Sequence, residues 1–290
     1  MINALTIDVE DYFNVSGFES EIRYEDWGRY ESRVERNTYK ILTILNKFNV
    51  RATFFALGWI AERYPNLIRD INLEGHEIAS HGYAHRLVYR QTEKEFREDL
   101  KRSKGLLEAI IGNRVIGYRA PSYSIIKDSL WALDILMEEG FLYDSSTFPI
   151  RRDRYGIPNG NRFPYMIYGK NKNAILECPL STVVILNYHI PVAGGGYLRL
   201  FPYWFIEWGL RRINQRENQP AIIYLHPWEI DPDQPKIRAR WINQFRHYIN
   251  LDRTEIRLQK LLSTFSFAPM REVYANALNR SVPAIQSLTV

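Results

Sequence analysis

His81 and His85 lie four residues apart in the run Ser80-His81-Gly82-Tyr83-Ala84-His85 and are two of only six histidines in the chain. Where a backbone turns helically, residues i and i+4 share a face, so both imidazoles could converge on one cation. Standing alone, such a pair is more often made of surface or capping histidines than of metal ligands. A carboxylate beside it would complete a ligand set with open positions, and a metal so held polarises a carbonyl and acidifies water. Acids are present in the run Asp8-Val9-Glu10-Asp11, where Asp8 and Glu10 are two apart and share one side of an extended strand. A second carboxylate could then take a proton from water, and His226 could protonate a leaving amine or alkoxide. Arg119 could pair with one carboxylate and hold it ionised and oriented. Each residue also has a plainer reading, since acids at strand ends cap turns, arginines form ordinary ion pairs, and a histidine before Pro227 can sit satisfied in a core. His76, His189 and His247 lack partners of this kind and read as structural.

The elements that must position these residues alternate in type. Apolar runs bounded by turn residues predict strands at 4–9, 52–57, 76–80, 115–119 and 141–144, then at 175–180, 182–186 and 221–226. Helical periodicity predicts helices at 34–48, 67–74, 93–110, 130–139, 203–213 and 254–262. Residues 151–173 read as a long polar excursion with a hairpin, and Gly194-Gly195-Gly196 as a flexible stretch, both shaping a substrate groove. Beyond Pro269 there is little core-forming pattern. Alternating strands and helices imply a parallel sheet with right-handed crossovers. The absence of GxGxxG after the first strand disfavours a dinucleotide fold. The fold class expected is α/β, a deformed (β/α) barrel. Residues 1–268 are expected to form one domain that includes an extension at about 228–268, with 269–290 as a tail. Barrel chemistry sits where strands end, and the acids, the histidine pair, Arg119 and His226 all fall at such ends.

Composition narrows the partners. The 290 residues are 46% apolar, enough for a sizeable core, and carry 19 Tyr, 14 Phe and 7 Trp. Those rings can fill a core or, where exposed, stack on sugars. A net charge of +5 is spread along the chain with only short clusters such as Arg151-Arg152-Asp153-Arg154. That pattern is no nucleic-acid footprint, and at most favours peripheral contact with anionic membrane surfaces or acidic polymers. The single cysteine, Cys178, excludes an intramolecular disulfide and a Cys-rich zinc site, and its apolar surroundings predict a buried thiol. No run approaches the roughly 18 apolar residues of a membrane span. With no basic and apolar leader at the N-terminus, a cytoplasmic protein is expected.

Taken in order, Thr6-Ile7-Asp8-Val9-Glu10-Asp11, His81-Gly82-Tyr83-Ala84-His85, Arg119-Ala120-Pro121, Tyr143-Asp144-Ser145-Ser146 and Leu225-His226 resemble the motifs of polysaccharide deacetylases with the NodB homology domain, carbohydrate esterase family 4. The resemblance spans about residues 1–230. It extends to about 275 for the subgroup associated with exosortase (PEP-CTERM) exopolysaccharide loci, through stretches such as His226-Pro227-Trp228-Glu229 and Asn250-Leu251-Asp252-Arg253. It implies a hydrolase that removes N-acetyl groups from sugars with a divalent metal, often Zn2+. Its substrate would be an N-acetylated polysaccharide or a lipid-linked oligosaccharide. Carried over, Asp8 would be the general base, His81 and His85 metal ligands, Arg119 the residue orienting the base and His226 the general acid. Metal-activated water would add to the acetamide carbonyl and His226 would protonate the departing amine. Pro121, Tyr123 and Trp228 would meet the substrate. There are departures from the pattern. Two adjacent aspartates are usual in the first motif, so the metal carboxylate here is Glu10, as in D-x-D relatives, or Asp11. Gly82 replaces the usual Ser or Thr, and the motif-four tryptophan has no clear counterpart, which leaves Asp144 a structural reading. Another amide hydrolase acting on a small non-sugar substrate, or a non-catalytic carbohydrate-binding relative, are the alternatives.

Overall fold

The computed structural model describes residues 1–152, 155–169 and 173–281. Parts of the polar excursion (153–154 and 170–172) and of the expected tail (282–290) lie outside the described residues. The long first strand, β1 (Ile2–Val9), pairs with three others. On one edge it pairs in parallel with β10 (Ile222–Leu225), Thr6 opposite Tyr224. On the other it pairs with β2 (Thr53–Ala56), Asp8 opposite Phe55, and near its start with β11 (Ser266–Ala268). The sheet continues in parallel through β3 (Glu77–Ser80), β4 (Gly117–Tyr118), β5 (Tyr143–Asp144) and β7 (Ala174–Glu177). It ends on β6 (Tyr165–Tyr168), which pairs antiparallel with β7 as the hairpin expected in the polar excursion. A separate hairpin joins β8 (Thr182–Ile185) and β9 (Tyr188–Pro191).

Eleven helices are seen among the described residues. They are α1 (Val34–Lys47), α2 (Gly58–Arg63), α3 (Pro65–Leu73), α4 (Glu93–Ile111), α5 (Trp131–Glu138) and α6 (Gly196–Leu200), then α7 (Tyr203–Gln215), α8 (Trp241–Tyr248), α9 (Leu251–Thr264), α10 (Met270–Val273) and α11 (Ala275–Ser281). The α4 helix begins in a capping box, with Thr92 and Glu95 satisfying each other's backbone N–H, and ends at Gly112 in the left-handed region. None of the helices is long and apolar enough to cross a membrane among the described residues.

Strand alternation sorts the side chains into two layers. Leu5, Ile7, Val9, Phe54, Ile78 and Ile223 face outward and pack beneath the helices. Ala4, Phe55, Ala79, Tyr143, Leu176 and Ile222 point inward and form a second core inside the curved sheet. Together these make an α/β deformed barrel. Between β7 and β10 the wall is irregular chain. The Tyr224 N–H donates to the Ala193 carbonyl, the Gly195 N–H donates to the Tyr224 carbonyl, and the Ile222 N–H donates to Ser181 Oγ. A Cβ on Gly194 (φ 120°) would stand 2.0 Å from the Tyr224 oxygen, so glycine is required for this close approach. The triple-glycine stretch is therefore a tight seam in the wall rather than the flexible loop its composition suggests.

The segment after Pro269 also behaves otherwise than its pattern suggests. Met270, Tyr274 and Leu278 are buried in the inner core, and the Met270 and Arg271 N–H groups donate to Thr53 Oγ1 and the Glu77 carboxylate. Three apolar residues spread over nine positions make a weak signal in one dimension. They close the amino-terminal end of the barrel in three.

Candidate active site

β1 delivers its acids by alternation. Thr6 and Asp8 face inward, and Glu10, one residue past the strand, keeps that phase and is 3% exposed. Asp11 turns away from the others. Its Oδ2 accepts the Ser32 hydroxyl and the N–H groups of Arg33 and Val34, at 2.7, 2.8 and 3.0 Å, and so fastens the start of α1.

The histidine pair rides on the loop after β3, which is not helical, since Gly82 and His85 both have positive φ, 74° and 51°. Both Nε2 atoms reach Glu10 Oε1, at 2.9 Å from His81 and 3.0 Å from His85. His81 Nδ1 lies 2.8 Å from the Arg119 carbonyl oxygen. A carbonyl only accepts, so Nδ1 carries a proton and Nε2 is the ring nitrogen turned to Glu10. Two imidazole nitrogens and one carboxylate oxygen thus converge on one point. One oxygen and two nitrogens, buried and within 4.8 Å of one another, form a donor set that fits a divalent transition metal. Burial raises the Glu10 pKa, but the charges of His85 and His226 and the hydrogen bonds from both loop histidines outweigh it and hold the group well below its usual range. The loop is braced from α4. Asp99 Oδ2 accepts the Tyr83 N–H at 2.7 Å, and Ser103 donates to the Gly82 carbonyl. This bracing replaces the side-chain hydroxyl that Gly82 lacks, and a Cβ at Gly82 would lie 2.9 Å from Asp99 Oδ2.

Arg119 leaves β4 pointing into the barrel, fully buried. One Nη1 bonds Asp8 Oδ1 at 2.6 Å and Thr6 Oγ1 at 2.8 Å, while Nε and Nη2 donate to the Ser145 carbonyl and hydroxyl. Its guanidinium lies 4.1 Å from the Phe55 ring centroid. All three nitrogens are occupied, so the charge is satisfied and Asp8 is held with Oδ2 turned toward His226, 3.9 Å from its Nε2.

His226 stands at the end of β10. Its Nδ1 lies 2.6 Å from Glu229 Oε1, and Arg199 Nε donates to Glu229 Oε2, also at 2.6 Å. Arg199 in turn donates to the His247 and Ile249 carbonyls. Burial disfavours a charged His226, but Glu10, the hydrogen bond and charge of Glu229, and Asp8 overcome it and raise its pKa to about 9. Burial likewise opposes ionisation of Glu229, yet Arg199 and His226 bring its pKa down to about 2. Trp228 is 4% exposed and stacks between the His226 and His247 rings, with centroids 5.1 and 4.1 Å away. Pro121 and Tyr123 are also buried. They follow Arg119 on a segment where Ser122 and Tyr123 have φ of 51° and 54°, and the Tyr123 ring meets Tyr224 edge-on at 5.2 Å.

Glu229, Arg199 and Asp99 escape the sequence reading. Glu229 has a signal, because Pro227 and Glu229 at the first and third positions of the short 3-10 turn after His226 are start residues. Arg199 and Asp99 have none, since each lies 27 or 18 positions from the histidine it supports, 226 − 199 and 99 − 81. Of the remaining histidines, buried His76 accepts the Ala52 N–H on Nδ1, and His247 bonds Gln234.

Residues 25–136 match the family model described as polysaccharide deacetylase, and residues 145–275 match one described as a domain of unknown function, DUF3473. Over 98 residues the chain is 37% identical to a peptidoglycan-N-acetylglucosamine deacetylase of Bacillus cereus, covering 33% of this chain and 36% of that protein. Over 85 residues it is 31% identical to a chitooligosaccharide deacetylase of Azorhizobium caulinodans, covering 29% of this chain and 40% of the relative. The chain thus spans well under half the length of these curated relatives. A crystal structure described as a polysaccharide deacetylase of Mycobacterium smegmatis shares the fold, with a TM-score of 0.64 at 20% identity over 97% of this chain and 91% of that one. Residues 25–136 thus resemble a polysaccharide deacetylase domain, and the fold is shared with a solved structure so described.

Proposed function

We propose that this protein hydrolyses the N-acetyl group of a sugar residue within a glycan, releasing acetate and leaving a free amine. The observation that carries this reading is convergence. An arginine-bound carboxylate, a His-His-Glu donor set and a carboxylate-backed histidine meet at the carboxyl end of one barrel. A divalent ion held by Glu10, His81 and His85, with zinc the best match to two imidazoles and one carboxylate, would polarise the acetamide carbonyl and acidify water. Asp8, with one oxygen on Arg119, keeps Oδ2 available to take the proton of the attacking water. His226 presents Nε2 on the same side and donates its proton to the nitrogen as the C–N bond breaks. One water is consumed: one of its protons goes to Asp8, its oxygen and other proton pass to the acid, which ionises to acetate, and the proton that His226 gives the amine is restored from Asp8 by way of solvent. Pro121 and Tyr123 would line the acetyl end, and Trp228 would act through the His226 ring it stacks on.

We also take the glycan to be an exopolysaccharide or its lipid-linked precursor. The 145–275 segment that accompanies the deacetylase domain, and the motif resemblance to the exosortase-associated subgroup, support this. The test is metal content of the purified protein beside a His81→Ala/His85→Ala variant, with acetate release from an N-acetylglucosamine oligomer assayed on both. One metal per chain lost together with acetate release in the variant is the expected result. Wild-type protein that takes up no metal after reconstitution would overturn the reading.

A further inference from the structure

Helix α8 turns two large rings away from the protein. Trp241 is 76% exposed and Phe245 49%, and four residues apart they share one face of the helix. Charge of one sign surrounds them. Lys236, Arg238 and Arg240 lead into the helix and Arg246 follows Phe245. All four are exposed, and none is paired with a carboxylate among the described residues. From Gln234 to Leu251 the sequence holds no Asp or Glu at all. The exposed Trp204 of α7 has a different setting, because Arg211 and Arg212 on its helix are taken by Glu207 and Glu217.

The basic loop and the helix are held in place. Gln234 Nε2 donates to the Trp228 and Asp231 carbonyls, the Ile237 N–H to the Tyr248 hydroxyl, and Gln244 Nε2 to the Ala239 carbonyl. The inner face of α8 packs on the chain that leaves β10 and β1 at their carboxyl ends. His247 stacks on Trp228, which stacks on His226, and Asn243 donates to the Gly17 carbonyl at 2.7 Å. The patch thus lies at the end of the barrel that carries Glu10 and His226. We propose that this face of α8, with the basic loop before it, docks the protein on an anionic lipid bilayer. The four cations would meet headgroup phosphates, and Trp241 and Phe245 would enter the interfacial layer. Two rings on one helix are too small a surface for a stable protein interface, whereas a bilayer accepts an exposed apolar tip and each cation adds to its hold. The inference goes beyond the deacetylase reading and does not rest on it, since docking needs no turnover. It would set the proposed centre where a lipid-linked glycan is presented.

The test is sedimentation of the full chain with vesicles of phosphatidylcholine alone and with vesicles of equal parts phosphatidylcholine and phosphatidylglycerol. Binding is expected to the anionic vesicles only, and salt should weaken it. Arg238→Gln/Arg240→Gln/Arg246→Gln should weaken it by roughly a hundredfold, at about fivefold for each cation. Trp241→Ala/Phe245→Ala should weaken it by roughly tenfold, while Trp204→Ala should bind as the wild type does. Brominated phosphatidylcholine in the anionic vesicles should quench part of the tryptophan emission, and less of it in Trp241→Phe. No binding to anionic vesicles, equal binding to neutral ones, emission that the brominated lipid leaves unquenched, or binding that survives in the triple arginine variant overturns the proposal. Loss of binding in Trp204→Ala as large as in the α8 ring variant would move the contact to α7 and overturn it too. Polygalacturonate bound as tightly as the vesicles, through the same arginines, would give the surface to an acidic glycan and likewise overturn the membrane assignment. Acetate release from a soluble N-acetylglucosamine oligomer tests the deacetylase reading separately, so the two failures are told apart.

Discussion

Glu229 joins His226 to Arg199, which makes no direct bond to the imidazole: one carboxylate oxygen sits 2.6 Å from His226 Nδ1 and the other 2.6 Å from Arg199 Nε. The carboxylate both orients the ring, with Nε2 toward Asp8 and Glu10, and stabilises its charged form. Burial works against that charge, and Glu10, Glu229 and Asp8 overcome it to place the pKa at about 9. As the proposed acid, His226 is therefore loaded below that pH and loses its proton as pH rises through it. Cation binding at Glu10 weakens the largest of the favourable charges, so the alkaline limb of the loaded enzyme should lie below 9. Glu229→Gln removes a second favourable charge and should move that limb to still lower pH, with kcat at pH 8 reduced by roughly tenfold to a hundredfold. A pH–rate profile between 6 and 10 measures this, and an unmoved limb would show that Glu229 does not tune His226.

Arg119 should not tolerate lysine. Its three nitrogens serve Asp8, Thr6 and Ser145 at once, and an ammonium cannot span that arc. Arg119→Lys is expected to fold with kcat/KM lowered by about a hundredfold or more. Arg119→Ala strands a buried carboxylate and should also lose about 3–5 kcal/mol of stability. Denaturant titration beside steady-state kinetics separates the two effects.

Gly82 holds a left-handed backbone with Asp99 against it. Gly82→Ala should cost about 1–2 kcal/mol. Asp99→Ala leaves the buried Tyr83 N–H without its acceptor and should cost about 1–3 kcal/mol. Both slacken the loop that carries His81 and His85, so the protein should bind zinc roughly tenfold to a hundredfold more weakly. Competition with a chromophoric chelator reads this directly, and wild-type affinity in both variants would rule out the bracing role.

Met270 closes the amino-terminal end of the barrel, opposite the proposed chemistry. Met270→Ala should lower stability by about 2–5 kcal/mol while kcat of the folded protein stays near the wild-type value. Truncation after Pro269 removes Tyr274 and Leu278 as well and should lower the Tm much further. Thermal denaturation and kcat of the two proteins together test this, and a truncated chain as stable as the full one would contradict the packing described.

Local chemistry by itself determined a good deal of this protein. Two-residue alternation in β1 puts Thr6, Asp8 and Glu10 on one side, and helical periodicity sets α1, α4 and α7, because such patterns are written within a few turns of chain. The placing of His81, Arg119 and His226 at strand ends was legible for the same reason. What only the tertiary structure decided were relations across long separations. Asp11 goes to the start of α1 rather than to the cluster, because Arg33 and Val34 offer N–H donors there. Gly194 seals a seam because Tyr224 passes within reach of it. Arg199 and Asp99 become supports only once α6 and α4 have packed beside the loops they hold. A side chain's partner across thirty or a hundred positions is set by how whole layers pack, and no short window of sequence carries that information.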